Sequence, residues 1–249
     1  MSLIAVTGGT GTLGQNLVPA ALAHGDEVRV LSRRAGAAVA EGASLAVADV
    51  LTGQGLDRAF DGAEVVIHAA TSPLRRARAT EIEGTRRVVE AAEKAAAHLI
   101  YVSIVGVDRH RFRYYRAKLA AEQIVAGART TWAIARATQF HQLLDRVLGA
   151  AVFPVTRNMR FQPVDPAQFA LRLCDLAKSR YPGRAPDFGG PEVLSIRELR
   201  FIRKQTQGRA ALLLPVPAVG FLADYDRGLQ LAPDHCDGTV TWAQWLQRR

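Results

Sequence analysis

The chain has 249 residues, of which 49% are hydrophobic and 7% aromatic, so it can bury one substantial core. It lacks both a leader of the secretory type and an apolar run of the roughly 20 residues that a membrane span needs, so we expect a cytoplasmic protein with no membrane partner. The net charge of +9 comes with arginines scattered along the chain, which is typical of a solvated surface, and we expect no nucleic-acid partner.

Short apolar segments alternate with amphipathic ones through the first 135 residues. The predicted strands are Leu3–Val6, Glu27–Leu31, Ser44–Ala48, Glu64–His68, Leu99–Ser103 and Thr131–Ala135. The predicted helices are Thr12–His24, Thr80–Ala97 and Arg113–Ala126. Strands that are apolar on both faces and alternate with helices predict an α/β fold, a doubly wound parallel sheet of the Rossmann type with right-handed crossovers.

The pattern changes after Ala135. Asp165-Pro166 predicts the start of a helix that runs to Leu176, and capping boxes at Ser195 and Thr241 predict two more helices. We therefore predict a Rossmann domain over residues 1–149 and a small C-terminal lobe over residues 150–249 packed on it. A ligand site is expected beyond the carboxyl ends of the strands.

The segment Thr7-Gly8-Gly9-Thr10-Gly11-Thr12-Leu13-Gly14 joins the first strand directly to the first helix. Glycines at these positions allow a tight turn, close approach of the backbone to a pyrophosphate, and packing of the helix on the strand. A glycine-rich turn alone would be weak evidence, but its place between a strand and a helix favours dinucleotide binding. The predicted contacts are Gly8, Thr10, Gly11, Thr12, Leu13 and Gly14.

The second strand ends in Ser32-Arg33-Arg34, where an NAD site usually carries an acidic residue. Serine and arginine suit a 2′-phosphate, so we predict NADP(H) and regard NAD(H) as the weaker alternative; two solvated arginines are the structural alternative. The cofactor site is completed by residues at the ends of the third and fourth strands, namely Asp49, Val50, Ala69, Ala70 and Thr71. His68 is expected to be a packed, hydrogen-bonded strand residue.

These residues resemble the atypical short-chain dehydrogenase/reductases of the NmrA-like, NAD(P)H-binding family. The resemblance covers most of the chain and rests on the glycine motif, Ser103 through Lys118, Arg136–Phe140, Phe161–Asp165 and Gly189–Glu192. Relatives of this kind include quinone reductases, triphenylmethane reductases and cofactor-sensing regulators without turnover.

The resemblance implies a catalytic set of Tyr114, Lys118 and Ser103. Tyr114 and Lys118 have the Tyr-x-x-x-Lys spacing, in which the lysine binds the nicotinamide ribose and the tyrosine donates a proton. Tyr115 is a rival to Tyr114. Ser103 departs from the family pattern, because Ile104 stands where a hydroxyl is expected.

Gln139 and Phe140 are expected to line the substrate pocket. His141 is an alternative acid, although a surface histidine on a helix is the simpler interpretation. No histidine or cysteine spacing predicts a metal site, and the separated Cys174 and Cys236 predict no disulfide.

The predicted function is an NADPH-dependent oxidoreductase that transfers hydride to a small organic acceptor such as a quinone or a carbonyl compound. One alternative is a non-catalytic NADP(H)-sensing regulatory protein. A second is an NAD-dependent epimerase or dehydratase, which Arg33 and Arg34 disfavour. We expect a small-molecule substrate and a monomer or homodimer, since Thr80–Ala97 and Arg113–Ala126 correspond to a dimer seam common in the superfamily.

Overall fold

The computed structural model describes residues 1–71 and 78–248. Its strands are β1 Leu3–Thr7, β2 Glu27–Ser32, β3 Ser44–Val47, β4 Val65–His68, β5 His98–Ile104, β6 Trp132–Ala137, β7 Val152–Val155, β8 Arg160–Phe161, β9 Gly183–Arg184, β10 Leu194–Ser195 and β11 Leu212–Pro215. Its helices are α1 Gly14–Ala23, α2 Leu56–Phe60, α3 Thr85–Lys94, α4 Arg113–Ala126, α5 His141–Leu148, α6 Pro166–Ser179, α7 Ile196–Gln207, α8 Phe221–Asp226 and α9 Trp242–Gln247. A π-helical segment, Ala79–Gly84, precedes α3.

The chain divides into two compact units. The first comprises Met1–Ser103, Arg116–Ala135 and Ala170–Pro186. The second comprises Ile104–Tyr115, Arg136–Phe169 and Asp187–Arg249. The predicted division of the chain into a domain of residues 1–149 and a lobe of residues 150–249 stays a prediction.

A seven-stranded sheet in the order β3-β2-β1-β4-β5-β6-β9 organises the first unit. Strand β1 pairs in parallel with β2 on one side and with β4 on the other, so that Thr7 lies beside both Leu31 and His68. Strands β2 and β3 lie on one side of β1, whereas β4, β5 and β6 lie on the other. The carboxyl ends of β1 and β4 therefore form a switch point of the sheet. The predicted Rossmann fold is confirmed.

The core of the first unit lies on the sheet where α2 and α3 pack. Leu56 and Phe60 from α2, together with Val88 from α3, meet Val66 and Leu99 from the strands. Helix α2 escaped prediction because five residues are too few to show a helical period.

The predicted helix Thr80–Ala97 differs at its start, where the chain forms the π segment before α3 begins. Thr80, Glu81 and Gly84 are buried there. A π turn is wider than an α turn and often marks a functional position in a helix. The buried glutamate in this turn, Glu81, contacts Lys118.

The second unit combines two small strand pairs with short helices. Strands β7 and β11 pair in parallel, whereas β8 and β10 pair in an antiparallel manner. Both predicted capping boxes are present, at Ser195 for α7 and at Thr241 for α9. The caps fix where these helices begin, and their apolar sides pack together in a core that includes Leu199, Trp242 and Leu246.

Candidate functional site

The turn between β1 and α1 can accept only glycine at two of its positions. Gly8 has φ +72°, and a Cβ there would lie 2.7 Å from the backbone of Ala69 and Ala70. A Cβ on Gly14 would lie 2.4 Å from the Gly8 carbonyl oxygen. The chain therefore carries no side chain at these two positions of the turn. Gly11 closes the turn by donating its N–H to the Gly8 carbonyl oxygen at 2.9 Å.

Helix α1 begins at this turn without a side-chain cap. Leu13 occupies the capping position and makes no side-chain hydrogen bond to the helix. Thr10, Gly11 and Thr12 are exposed beside it. An uncapped helix start presents backbone N–H groups and a positive dipole end, which is a binding site for phosphate. A dinucleotide pyrophosphate fits this cradle.

The residues predicted to select the cofactor lie at the ends of β2 and β3. Arg33 and Arg34 are exposed, and the Ser32 hydroxyl accepts from the Arg34 N–H at 3.1 Å. Asp49 is half-buried, and its Oδ1 accepts from the Leu51 N–H at 2.8 Å, which orients the carboxylate. Val50 is half-buried next to it.

The end of β4 is built as a hydrogen-bonded support for the glycine turn. The buried His68 ring lies 2.7 Å from the Thr7 hydroxyl and 3.1 Å from the Thr85 hydroxyl. The Thr7 hydroxyl also accepts from the Ala70 N–H at 3.2 Å. Burial lowers the pKa of His68 to about 4, with help from the Lys118 charge, so the ring is neutral at physiological pH. The expectation of a packed, hydrogen-bonded strand histidine is confirmed.

Lys118 is the centre of a buried polar cluster in the first unit. Only 3% of the residue is exposed. Its Nζ donates to the Val102 carbonyl at 2.7 Å and to the Tyr101 hydroxyl at 3.1 Å, and lies 3.2 Å from Glu81 Oε2. Sequence reasoning missed Tyr101 and Glu81, since each looks like an ordinary residue of its strand or helix.

Glu81 accepts hydrogen bonds from three side chains. Tyr101 donates to its Oε2 at 3.0 Å, Thr71 donates to its Oε1, and Lys118 supplies the third contact. Burial pushes the pKa of Glu81 upward, but the Lys118 charge and these hydrogen bonds outweigh it and hold the pKa below the usual value. Glu81 is therefore a buried carboxylate. Burial raises the pKa of Tyr101, which stays protonated.

Ser103 lies at the end of β5, one residue beyond the carbonyl that binds Lys118. It is buried, and its hydroxyl has no hydrogen-bond partner among the described residues. A buried hydroxyl without a protein partner is costly unless a water molecule or a ligand provides one. The donor set at the end of β5 thus fits a polar group of a bound molecule.

The second unit separates the two candidate tyrosines by environment. Tyr115 is buried, with its ring 4.5 Å from that of His110, and burial raises its pKa well above the usual value. Tyr114 is half-buried beside it. Tyr115 is thus a core residue, and Tyr114 is the more accessible of the two tyrosines.

The predicted pocket residues are tied into the second unit. The Gln139 amide donates to the Gln230 carbonyl at 2.9 Å and accepts from the Gln162 N–H at 3.1 Å. Phe140 is half-buried, with its ring 6.0 Å from that of Phe169. Gln139 therefore holds backbone segments together, and Phe140 is the more accessible of the pair.

His141 is not the surface histidine that its helix pattern suggested. It is fully buried, and its ring stacks 5.8 Å from Trp242 and 5.3 Å from Trp245. Burial lowers its pKa to about 3. The sequence interpretation failed because α9, which supplies both tryptophans, lies a hundred residues away in the chain.

The buried His141 predicts an acid-sensitive fold. As pH falls from about 6.5 toward about 3, the unfolded chain takes up a proton on this ring while the folded chain does not, so stability is lost across that window. His141→Phe keeps the stacking and removes the titration, and we expect acid unfolding at lower pH than in the wild type. Circular dichroism during acid titration measures this, with exposed His24→Gln as the control. Equal midpoints for wild type and His141→Phe would contradict it.

The structure also bears on metal binding, disulfide formation and membrane insertion. Over residues 1–71 and 78–248, no cluster of His, Cys, Asp and Glu could hold a metal ion. Cys174 and Cys236 are free thiols. Within the same residues, no helix combines the length and apolar character needed to cross a bilayer.

A parallel sheet with an uncapped glycine turn at its switch point defines an NAD(P)-binding protein of the Rossmann class. A profile of the NAD(P)H-binding family matches residues 8–147, more than half of the chain, and the chain belongs to this family. The predicted membership of an NAD(P)H-binding family is confirmed, and the fold is shared with a short-chain dehydrogenase/reductase superfamily protein from Agrobacterium tumefaciens (TM-score 0.75, 19% identity). The cofactor class is a nicotinamide dinucleotide.

Two characterised relatives are similar in sequence. A ceramide reductase of Caulobacter vibrioides is 36% identical over 136 residues, which cover 51% of this chain. The chain spans only 42% of the length of that relative. The 4-hydroxy-2-methyl-3-oxo-4-farnesyl-3,4-dihydroquinoline-1-oxide ketoreductase of Stigmatella aurantiaca is 29% identical over 255 residues, covering 85% of this chain and 75% of that protein.

Two solved structures share the fold over nearly the whole chain. A nucleoside-diphosphate-sugar epimerase from Staphylococcus aureus has a TM-score of 0.80 at 18% identity, covering 99% of this chain and 100% of that one. The NADPH-dependent quinone oxidoreductase of Escherichia coli, complexed with NADPH, has a TM-score of 0.78 at 17% identity, with coverages of 98% and 99%. At these identities the likeness concerns the fold.

Proposed function

We propose that the protein is an NADPH-dependent reductase of a small organic acceptor, a ketone or a quinone. The observation that carries the proposal is the pair of groups at the end of β5, a buried Lys118 ammonium and the unpartnered Ser103 hydroxyl. The names of the two sequence relatives, a reductase and a ketoreductase, support reduction, the second supports a ketone as the acceptor, and the oxidoreductase with the same fold supports a quinone.

Each group of the candidate site has a separate role in this proposal. The glycine turn and the start of α1 bind the pyrophosphate, and Arg33 and Arg34 hold a 2′-phosphate. NADPH supplies the hydride. Lys118 supplies positive charge near the reacting end, and Ser103 offers its hydroxyl to the acceptor oxygen. Tyr114, one helical turn before Lys118 on α4, donates the proton when the acceptor is a ketone.

The test combines binding with turnover. NADPH and NADH are titrated against the protein by nucleotide fluorescence, and loss of reduced cofactor is then followed with a panel of ketones and quinones that includes long-chain members. We expect NADPH to bind more tightly than NADH and at least one acceptor to be reduced. Tight NADPH binding without turnover on any acceptor would favour a cofactor sensor, and NAD retained through purification would favour an epimerase.

Removal of the arginine pair should change cofactor preference without changing the fold. Arg33→Ala/Arg34→Ala is expected to weaken NADPH binding by about 10- to 100-fold, because hydrogen bonds to charged groups contribute about 1.5–3 kcal/mol. NADH has no 2′-phosphate, so its affinity should stay the same. The exposed Arg58→Ala variant controls for loss of positive charge. Equal weakening of both cofactors by the double variant would contradict the assignment.

A further inference from the structure

The buried lysine has its hydrogens committed within the first unit. An ammonium group has three N–H donors. The acceptors that surround Lys118 Nζ are the Val102 carbonyl, the Tyr101 hydroxyl and Glu81 Oε2, at 2.7, 3.1 and 3.2 Å. The Nζ atom also lies 4.4 Å from the centre of the Tyr101 ring, a position in which the ring stabilises a cation.

Glu81 supplies the charge that offsets this cation. Both side chains are buried, with the carboxylate fully inaccessible and the lysine side chain 4% exposed. An isolated buried ammonium would lose its proton, whereas one beside a carboxylate keeps it. Glu81 is a carboxylate in direct contact with Lys118, and the Lys118 charge also acts on Tyr101 and His68. Tyr101 and His68 are uncharged, so the compensation comes from Glu81.

The carboxylate is itself fixed in place. The Thr71 and Tyr101 hydroxyls donate to different oxygens of Glu81, which sets the plane of the group. Its backbone lies in the π segment, where two successive residues, Thr80 and Glu81, are both buried. Thr71 lies in the loop after β4, so the same carboxylate joins that loop to Lys118 on α4.

We propose that Glu81 is a positioning residue, which keeps Lys118 protonated and fixes its Nζ at the end of β5. Lys118 then serves the reaction as a fixed positive charge. The functional half of this inference rests on the proposed function, since the charge is assigned to the nicotinamide end of the cofactor. The structural half, the dependence of the lysine charge on Glu81, stands independently and is tested first.

The direct test follows the Lys118 ammonium by nuclear magnetic resonance. The chain has four lysines, Lys94, Lys118, Lys178 and Lys204, and only Lys118 is buried. Protein labelled with 13C,15N-lysine should therefore give a small set of resolvable side-chain signals. In Glu81→Gln, the pH at which Lys118 titrates should fall by about 1–3 units, because an opposite charge within hydrogen-bonding distance is removed.

Two variants keep this measurement decisive. Glu83→Gln removes an exposed carboxylate from the same π segment, where Glu83 lies 3.8 Å from Arg86, and should not move the Lys118 titration. Glu81→Asp keeps the charge and serves if Glu81→Gln folds poorly; its Lys118 should titrate nearer to the wild type. An unchanged Lys118 titration in folded Glu81→Gln would overturn the proposal, as would an equal shift in Glu83→Gln.

The functional half is tested by the pH dependence of NADPH affinity. In Glu81→Gln the affinity should fall as pH rises through the lowered Lys118 titration, while the wild type keeps its affinity over that range. A shifted Lys118 titration with unchanged affinity and turnover would overturn the role of the charge. Failure of the wild type to bind NADPH would overturn the proposed function, and the resonance measurement would still decide whether Glu81 controls Lys118.

Discussion

Gly8→Ala is expected to abolish dinucleotide binding, because two independent costs fall on one residue. Its φ of +72° is strained for any residue with a Cβ, at about 1–3 kcal/mol. The added methyl group would also lie 2.7 Å from the backbone of Ala69 and Ala70, so the end of β4 must move. Movement there disturbs both sides of the phosphate cradle. We expect NADPH affinity to fall by more than about 100-fold, which corresponds to about 2.7 kcal/mol.

Two other glycines separate the causes of this effect. Gly62 has φ +70°, but nothing lies within 4 Å of its added Cβ, so Gly62→Ala tests backbone strain alone. Gly14 has no positive φ, but its added Cβ would lie 2.4 Å from the Gly8 oxygen, so Gly14→Ala tests the clash inside the cradle. NADPH titration with thermal unfolding should rank Gly62→Ala as mild in both measurements. A Gly8→Ala protein that bound NADPH as tightly as Gly62→Ala would refute the cradle.

The cradle could be predicted from sequence because its cause is local. Gly8, Gly11 and Gly14 lie within seven residues, between a strand and a helix that are apparent from periodicity. At each glycine, nearby backbone atoms lie where a Cβ would be crowded, and the structure identifies those atoms. The capping boxes at Ser195 and Thr241 were predictable for the same reason, since each cap involves residues three apart.

The lysine environment could not be predicted because its partners are distant in the chain. Glu81 and Lys118 are separated by 37 positions and meet only through the order of β4 and β5 in the sheet. The sequence shows Glu81 as one acid in a helix rich in charge, and Tyr101 as one aromatic residue in an apolar strand. The spacing of Tyr114 and Lys118 predicted a functional role for the lysine but did not indicate the carboxylate that compensates its charge.

The second unit shows the same limit in a different form. Gln139 was predicted to line a pocket and His141 to lie on a helix surface, whereas no location was predicted for Gln162. The structure buries all three, and Gln162 donates to the Gly190 and Ala232 carbonyls at 2.9 and 3.1 Å. These contacts join loops far apart in sequence, so periodicity could not reveal them.

Lys118→Met is expected to remove turnover and to destabilise the fold by separate routes. Methionine keeps an apolar stem of similar length but has no charge, so we expect turnover to fall by about 100- to 1,000-fold, the range associated with loss of one group that stabilises charge in the transition state. The same change leaves Glu81 as a buried carboxylate without its cation, which costs about 3–5 kcal/mol. Turnover assays and chemical unfolding measure the two effects separately.

The double variant Lys118→Met/Glu81→Gln distinguishes catalysis from folding. Replacing the carboxylate by an amide removes the uncompensated charge while the Thr71 and Tyr101 hydroxyls keep a hydrogen-bonding partner, so most of the lost stability should return. Turnover should not return, because the positive charge at the end of β5 is still absent. Lys94→Met is the control, because Lys94 forms a solvent-exposed ion pair with Asp57 at 2.7 Å, and exposed pairs contribute little to stability. If the double variant recovered turnover together with stability, Lys118 would be a structural residue, and Tyr114 and Ser103 alone would have to supply the proton and the hydrogen bond at the reacting carbonyl.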